Sequence, residues 1–426
     1  MEPLSPASET YPPVQEEVLR LAALPEVRVA FDRFRAQESQ FALWQMEATR
    51  LAAPPFGEAT RAAWLADRFH ELGLTDVHLD EVGNVFGIRP GYGSRYVALS
   101  AHIDTVFPAA TPLNIRQQGS RLYGPGVSDN GAGIAAMLAL ASVLATSRIA
   151  HALPYVFIGN VGEEGEGDLR GMRHVFATPR WRDAIAYSVI VDGAGADTIV
   201  AEALGSRRFE VIVRGPGGHS WTDFGAPNPI IVLSRTIEVF SQTPVPATPK
   251  TTFNVGVIRG GTSVNSIPES ASMRVDLRST SMAEIDRLER ALRVALDQTV
   301  AAENQAVTQH GTRRPQLAQS PVVPSRMVQS EVVEIGNRPA GELARDARLL
   351  KVIRAVDAQL GNTAQVQRAS TDANVPLSLG REAIAIGGGG SGGGAHTLQE
   401  WFDCNGRDLG LRRILLTMLT LSGVGE

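Results

Sequence analysis

A single cysteine, Cys404, stands in 426 residues. That excludes an internal disulfide and a thiolate zinc cluster within one chain, so any metal must be held by His and carboxylate. Positive charge is not in excess either. The formal net charge is −5, which gives no electrostatic reason to expect nucleic acid or an anionic membrane as a partner. No apolar run approaches the roughly 20 residues needed to cross a bilayer. The opening "MEPLSPASETYPPVQEEVLRLA" is acidic and proline-bearing, with no apolar stretch behind a basic patch. A secretory signal is therefore not expected, and the cytoplasm is the expected location. G-x-x-x-x-G-K-[ST] does not occur, and G-x-S-x-G is met only inside a glycine run, as "GGSGG" at 389–393, so the sequence signal of a P-loop is missing and a serine nucleophile elbow is not expected. There is no internal repeat.

What is present suffices for a large core: 43 % of the residues are hydrophobic against 20 % charged, and a chain of this length holds two or three domains at about 150 residues each. Helical periodicity dominates "QEEVLRLAAL", "EVRVAFDRFRAQESQFALWQMEATRLA" and "GEATRAAWLADRFHELGL". Short apolar runs then alternate with helices through "SRYVALSAHIDTV", "AGIAAMLALASVLA", "LPYVFIGNV" and "AYSVIVDGAG". This alternation predicts an α/β layer architecture with a buried mixed sheet.

Near Gly205 the texture changes. "RRFEVIVRGPG", "NPIIVLSRTIEVFSQ", "TFNVGVIRGG", "SASMRVDLRS", "SMAEIDRLERALRVALDQTVAAENQ" and "SEVVEIGNRPAG" predict a two-layer α+β unit, a four-stranded antiparallel sheet with two helices. The expected organisation is a discontinuous α/β/α catalytic domain over 1–205 and 340–426, with a small lid inserted at 206–339. The Pro-, Ser- and Gln-rich stretch within 305–328 reads as a long hairpin loop or insertion.

Acidic and histidine clusters sit where strands end. "SAHIDTVFP" places His102 and Asp104 two apart on one face of a strand. A carboxylate beside a ligating imidazole fixes its tautomer, although such a pair is equally at home in a core or on a surface. Asp129, in "YGPGVSDNGAG", opens onto a helix; it reads as an N-cap or as a ligand. Glu163 and Glu164 are adjacent at the end of an apolar strand, and either a cation or solvent can offset their repulsion. Asp192 ends "YSVIVDG". Together with His396, these residues supply two His, three carboxylate ligands and a spare Glu at successive strand ends. Ligands gather at that edge of an α/β sheet, and two divalent ions sharing a carboxylate need about this inventory.

The stretches "AHIDTVFP", "GPGVSDNGAG", "GNVGEEGEGDLRG", "VDGAG", "GPGGHSW", "NSIPESASMRVDLRS", "ASTDANVPLSLG" and "GGGAHTLQEW" resemble the M20-type co-catalytic metallopeptidases and amidohydrolases from about residue 40 onward. That group includes tripeptidases, dipeptidases, carboxypeptidases and aminoacylases. The resemblance implies two divalent ions, zinc foremost, with manganese or cobalt as alternatives. By that resemblance Asp129 bridges the ions, His102 and Asp192 complete one site, and Glu164 and His396 complete the other. It makes Glu163 the general base acting on the water between the metals and Asp104 the group orienting His102. In the lid, His219 resembles a histidine that reaches a partner subunit's active site to stabilise the oxyanion. Asn265, Arg278 and Arg338 resemble residues gripping the substrate's carboxylate or backbone, and a homodimer through the lid is implied. The peptide after the bridging Asp is often cis in such proteins.

Two departures stand out: no Lys follows Asp129 in "SDNGAG", and the 305–328 stretch is long for a lid. Asp rather than Glu at position 192 is similar to the tripeptidase, dipeptidase and carnosinase-like members. The expected substrate is accordingly a short peptide; an N-acyl amino acid amidohydrolase or a carboxypeptidase would share every catalytic residue. A metal-binding homologue without catalysis and a serine hydrolase built on "GGHSW" or "GGSGG" are the readings from other classes. Trp221 and Phe224 could line an apolar subsite or fill the lid core. His70, His78, His151, His174 and His310 are expected to be structural or exposed.

One stretch, Gly387–Gly394, is glycine except for Ser391 and could pass for a flexible linker. It follows an apolar strand and precedes an apolar helix, so it is expected to be a loop whose backbone packs closely and delivers His396.

Overall fold

Tyr96–His102, Tyr155–Asn160, Ile185–Val191 and Glu382–Ile386 are buried almost throughout. Strands that are apolar on both faces belong in the middle of a parallel sheet. In the computed structural model, which describes residues 12–311 and 327–423, these four strands lie side by side and parallel. They form the centre of a nine-stranded mixed sheet. Thr75–Leu79 and Val85–Arg89 flank one side antiparallel, while Thr198–Ala203 flanks the other and carries Gly341–Glu342 and Gln365–Ala369. The helix Gly131–Ala145 is apolar all round and almost wholly buried, as a helix enclosed by other elements must be.

The chain divides into two compact units, one running up to Ala203 and resuming at Gly341, the other spanning Leu204–Ala340. The second unit has its own core and its own sheet, ordered Thr251–Gly260, Ser270–Ser279, Gly205–Arg214, Gln329–Arg338, with every neighbouring pair antiparallel. Burial alternates strictly along Ser270–Ser279, the period-two signature of a sheet with one covered face. Phe209, Met273 and Leu277 on that face join Leu233 and Phe240 of the helix Pro229–Ser241 and Leu288 and Leu292 of the long helix beginning at Met282. The two-layer, four-stranded, two-helix expectation is met. Most of the Pro-, Ser- and Gln-rich stretch falls outside the described residues, as does the first half of the opening stretch read for a leader; its second half lies in the helix Pro12–Ala23.

Two features differ from the sequence reading. The periodic run "EVRVAFDRFRAQESQFALWQMEATRLA" is two helices, Pro25–Ala36 and Glu38–Arg50, broken at Gln37. The break lets the first pack on the C-terminal helix Arg407–Ser422 and the second on Gly131–Ala145. The glycine-rich stretch also contains a strand. Ser391–Gly393 pairs with Trp401–Asp403, which pairs in turn with Arg121–Tyr123 and then Arg116–Gln118. A Cβ at Gly387 would lie 2.3 Å from the Ala194 carbonyl oxygen, and one at Gly392 would lie 2.3 Å from the Ser128 hydroxyl. The run is a packed wall, as expected of a close-approach loop and not of a linker.

Candidate metal centre

The parallel strands deliver their terminal residues to one edge. His102 is the last residue of its strand, Asp192 directly follows Val191, and Glu163 and Glu164 come shortly after Asn160. Asp129 sits in the turn before Gly131–Ala145. The N-cap of that helix is Asn130, not Asp129: its side-chain oxygen accepts from the Gly133 N–H at 3.0 Å and from the Gly193 N–H at 3.1 Å. The Asn130 amide also donates to the Val191 carbonyl at 2.9 Å. One side chain thus ties the Asp129 turn to the strand end that bears Asp192. The Asp129–Asn130 peptide is cis, as the resemblance implied.

His102 Nε2 lies 3.1 Å from Asp129 Oδ1 and 3.7 Å from Asp192 Oδ1. His396 Nε2 lies 3.1 Å from Asp129 Oδ2 and 3.0 Å from Glu164 Oε1. The two oxygens of Asp129 therefore face two different histidines. The donor atoms fall into two groups sharing Asp129: His102, Asp129 and Asp192, and Asp129, Glu164 and His396, each within 4.8 Å of one another. Every donor is nitrogen or oxygen, a set suited to zinc or another divalent first-row ion. Asp104 Oδ1 lies 3.5 Å from His102 Nδ1, an ion-pair contact longer than a well-formed hydrogen bond. It leaves Nε2 as the nitrogen aimed at the carboxylates. Asp104 also accepts the backbone N–H of Glu163 at 3.0 Å and of Glu164 at 2.8 Å. It orders the Glu-Glu turn and the first histidine together.

The electrostatics fit a place prepared for cations. Burial and the charge of Asp129 push Glu164 up to about 7. Burial alone would raise Asp129, but hydrogen bonds to His102 and His396 hold it well below the usual carboxylate range. Burial opposes charge on His102, yet the nearby carboxylates of Asp104, Asp129 and Asp192 raise it well above its ordinary value. The hydrogen bond to Asp129, partly opposed by burial and reinforced by Glu164, lifts His396 to about 9. Raised histidines beside a depressed Asp129 mark a place where positive charge is favoured.

Sequence reasoning missed two buried acids nearby. Asp372 has no exposed surface; Asn160 donates to its Oδ2 at 2.6 Å, while Oδ1 is buried without a hydrogen-bond partner. Burial pushes it up to about 7. Glu400, equally enclosed, accepts three backbone N–H groups of the Asp129 loop. Both lie in stretches that carry the family resemblance, "ASTDANVPLSLG" and "GGGAHTLQEW", and that resemblance was the one signal pointing to them. A cavity of about 600 Å³ opens beside Asp129 and Asp192, walled by Ser128, Gly193, Asn362 and Gly392 among others.

Glu163 is buried next to Glu164. The other four candidates belong to the second unit. His219 is exposed on a short ribbon, Gly218–His219 paired with Ser266–Ile267, and its Nδ1 accepts from the Trp221 N–H at 3.1 Å. Asn265 adjoins it through the Ser220 N–H, which donates to the Asn265 carbonyl at 3.0 Å. Arg278 and Arg338 both pair with Ser206 from opposite sides, so the three share one row and one face of that sheet. Trp221 and Phe224 are 84 % and 73 % exposed, which rules out the lid-core reading for both. Of the remaining histidines, His78 stacks on Phe86, His151 stacks on Tyr155 and His174 approaches Asp80. His70 is exposed on its helix, and the side chain of His310 lies outside the described residues.

A family model for "Peptidase family M20/M25/M40" matches residues 98–418, which takes in every residue named at this centre. This chain belongs to that family. Membership implies a co-catalytic metal pair, and the two donor groups sharing Asp129 are where such a pair fits. A probable carboxypeptidase of Aspergillus clavatus is 30 % identical over 250 residues, covering 52 % of this chain and 54 % of that protein. A succinyl-diaminopimelate desuccinylase of Xanthomonas oryzae pv. oryzae is 27 % identical over 253 residues, 55 % of this chain and 67 % of that one. The chain thus spans about half the length of the first curated relatives that it matches. Among solved structures, the aminopeptidase PepT of Bacillus cereus superposes with a TM-score of 0.69 at 20 % identity, over 91 % of this chain and 99 % of that one. The dipeptidase Dug1p of Saccharomyces cerevisiae gives 0.68 at 12 % identity over 94 % and 99 %. These family members share the fold of this chain.

Proposed function

We propose that this chain is a metal-dependent hydrolase of amide bonds in short peptides. The observation that carries the reading is Asp129, whose two carboxylate oxygens are each 3.1 Å from a different histidine. When bound, a pair of divalent ions would lower the pKa of water from 15.7 towards about 7 and polarise the scissile carbonyl. His102, Asp129 and Asp192 would hold one ion, and Asp129, Glu164 and His396 the other, with zinc favoured by the nitrogen and oxygen donors. Glu163 takes the proton of the attacking water and passes it to the leaving amine. This division of labour accounts for an adjacent Glu-Glu pair, one ligand and one base. Asp104 keeps both in register by accepting their N–H groups and holds His102 with Nε2 forward.

From the second unit we assign His219 to the developing oxyanion and Asn265, Arg278 and Arg338 to the substrate's carboxylate or backbone. The shared row of Arg278 and Arg338 supports a common ligand for the two guanidinium groups. The exposed apolar side chains Ile230, Ile231, Val257 and Ile258 support a homodimer through this unit.

Glu163→Gln should keep its metal and lose nearly all turnover; retained turnover would refute the base assignment. The desuccinylase relative favours a second reading, in which the scissile bond belongs to an N-acyl amino acid. Free di- and tripeptides assayed against N-acetyl amino acids, with zinc, manganese or cobalt supplied, decide between them.

A further inference from the structure

Glu400 is a carboxylate with no exposed surface, and among the described residues no Arg, Lys or His forms an ion pair with it. Its partners are the backbone N–H groups of one loop. Oε2 accepts from Gly126, and Oε1 accepts from both Ser128 and Asp129, each at 2.7 Å. Its own carbonyl accepts the Gly124 N–H at 2.9 Å. A buried carboxylate is costly unless its lone pairs are filled, so this arrangement needs an explanation beyond packing.

Three converging N–H groups supply it. A carboxylate offers about four acceptor sites, whereas a neutral amide offers two on its oxygen and turns an N–H₂ towards the remaining donor. Gly126, at φ +80°, permits the turn that points these donors inward.

We propose that Glu400 is a positioning residue of the metal centre, fixing the 126–129 backbone so that Asp129 presents one oxygen to His102 and the other to His396. The inference rests on the reading of Asp129 as a shared ligand. His396 lies four residues before Glu400, so one turn of chain holds Asp129 at both ends. The histidine faces its carboxylate at 3.1 Å, and the glutamate accepts its N–H at 2.7 Å. Glu400 touches neither ion nor substrate in this assignment; it acts through Asp129.

The test uses the full chain, stripped of metal and titrated with zinc or cobalt against a competing chelator. Glu400→Gln should bind the ions 10–100-fold more weakly, the range seen for residues behind metal ligands. The cobalt form should show an altered visible spectrum, and kcat at saturating metal should fall over a similar range with KM within about threefold. Wild-type affinity and spectrum in a cooperatively folded Glu400→Gln would overturn the assignment. If that variant does not fold, Glu400→Asp decides. It keeps the charge but cannot reach all three donors, so weakened metal binding with an intact circular dichroism spectrum supports the assignment and wild-type affinity overturns it. A wild-type chain that takes up no ions removes the two-metal reading itself. A wild type that takes up two ions, with both variants matching it, removes only the role of Glu400.

Discussion

Asp104 shows how much one carboxylate can organise. It has no exposed surface, contacts His102 Nδ1 at 3.5 Å and accepts two consecutive N–H groups from Glu163 and Glu164. Asp104→Asn would keep the shape but turn an N–H₂ group on one of those donors. We expect 10–100-fold losses in metal affinity and kcat, measured by chelator competition and steady-state kinetics, with the fold retained by circular dichroism. Protons at the histidines make a second prediction. His396 stands at about 9 and His102 well above its ordinary value, yet both must be neutral to ligate. Metal affinity should therefore rise with pH through about 9. Calorimetry in two buffers of different ionisation enthalpy should show about one proton or more released per chain at pH 8; a release near zero contradicts the protonated pair. The linked stability has a definite sign. A folded-state pKa raised from 6.5 to about 9 gives the metal-free protein stabilisation that is complete below about 6.5 and lost as pH rises through about 9.

At the level of elements, the glycine wall separates what the sequence shows from what it hides. Gly387→Ala puts a Cβ within 2.4 Å of two backbone oxygens, those of Ala194 and Gly195, neither of which can swing aside. It should cost about 1–3 kcal/mol, whereas exposed Ser391→Ala should stay within about 0.5 kcal/mol. Denaturant melts measure both, and equal small effects would restore the linker reading. The close packing of this run could be inferred because the strand before it and the helix after it are strongly apolar. The strand-end candidates His102, Glu164 and Asp192 were legible for a related reason: buried parallel strands read as unbroken apolar runs, and the polar residues that close them lie at the same edge. Glu400 and Asp372 were not legible. Each is an acid in a polar, loop-like context, and its burial depends on donors more than 200 residues away in the chain, Gly126, Ser128 and Asp129 for one and Asn160 for the other. Local pattern carries no trace of such pairings. The break at Gln37 was hidden likewise, since the apolar stripe runs through it.

For the whole molecule, the reading divides the work between two units with separate cores. The first holds the metal donors and Glu163; the second carries His219, Asn265 and the arginine pair. If His219 serves the active site of a partner subunit, Glu163→Gln and His219→Ala are each inactive alone for reasons lying in different subunits. Mixed in equal amounts and allowed to exchange, half of the dimers are hybrids. Each hybrid contains one site with an intact Glu163 from one chain and an intact His219 from the other. Restored activity should then approach about a quarter of the wild-type value per chain, as symmetric two-fold assembly requires. If His219 serves its own chain, no combination rebuilds a site and the mixture stays inactive. Ile258→Lys, placed at a 53 % exposed position of the Thr251–Gly260 strand, should shift light-scattering mass towards the monomer and reduce turnover. It should leave metal uptake unchanged, because all five metal donors lie in the first unit.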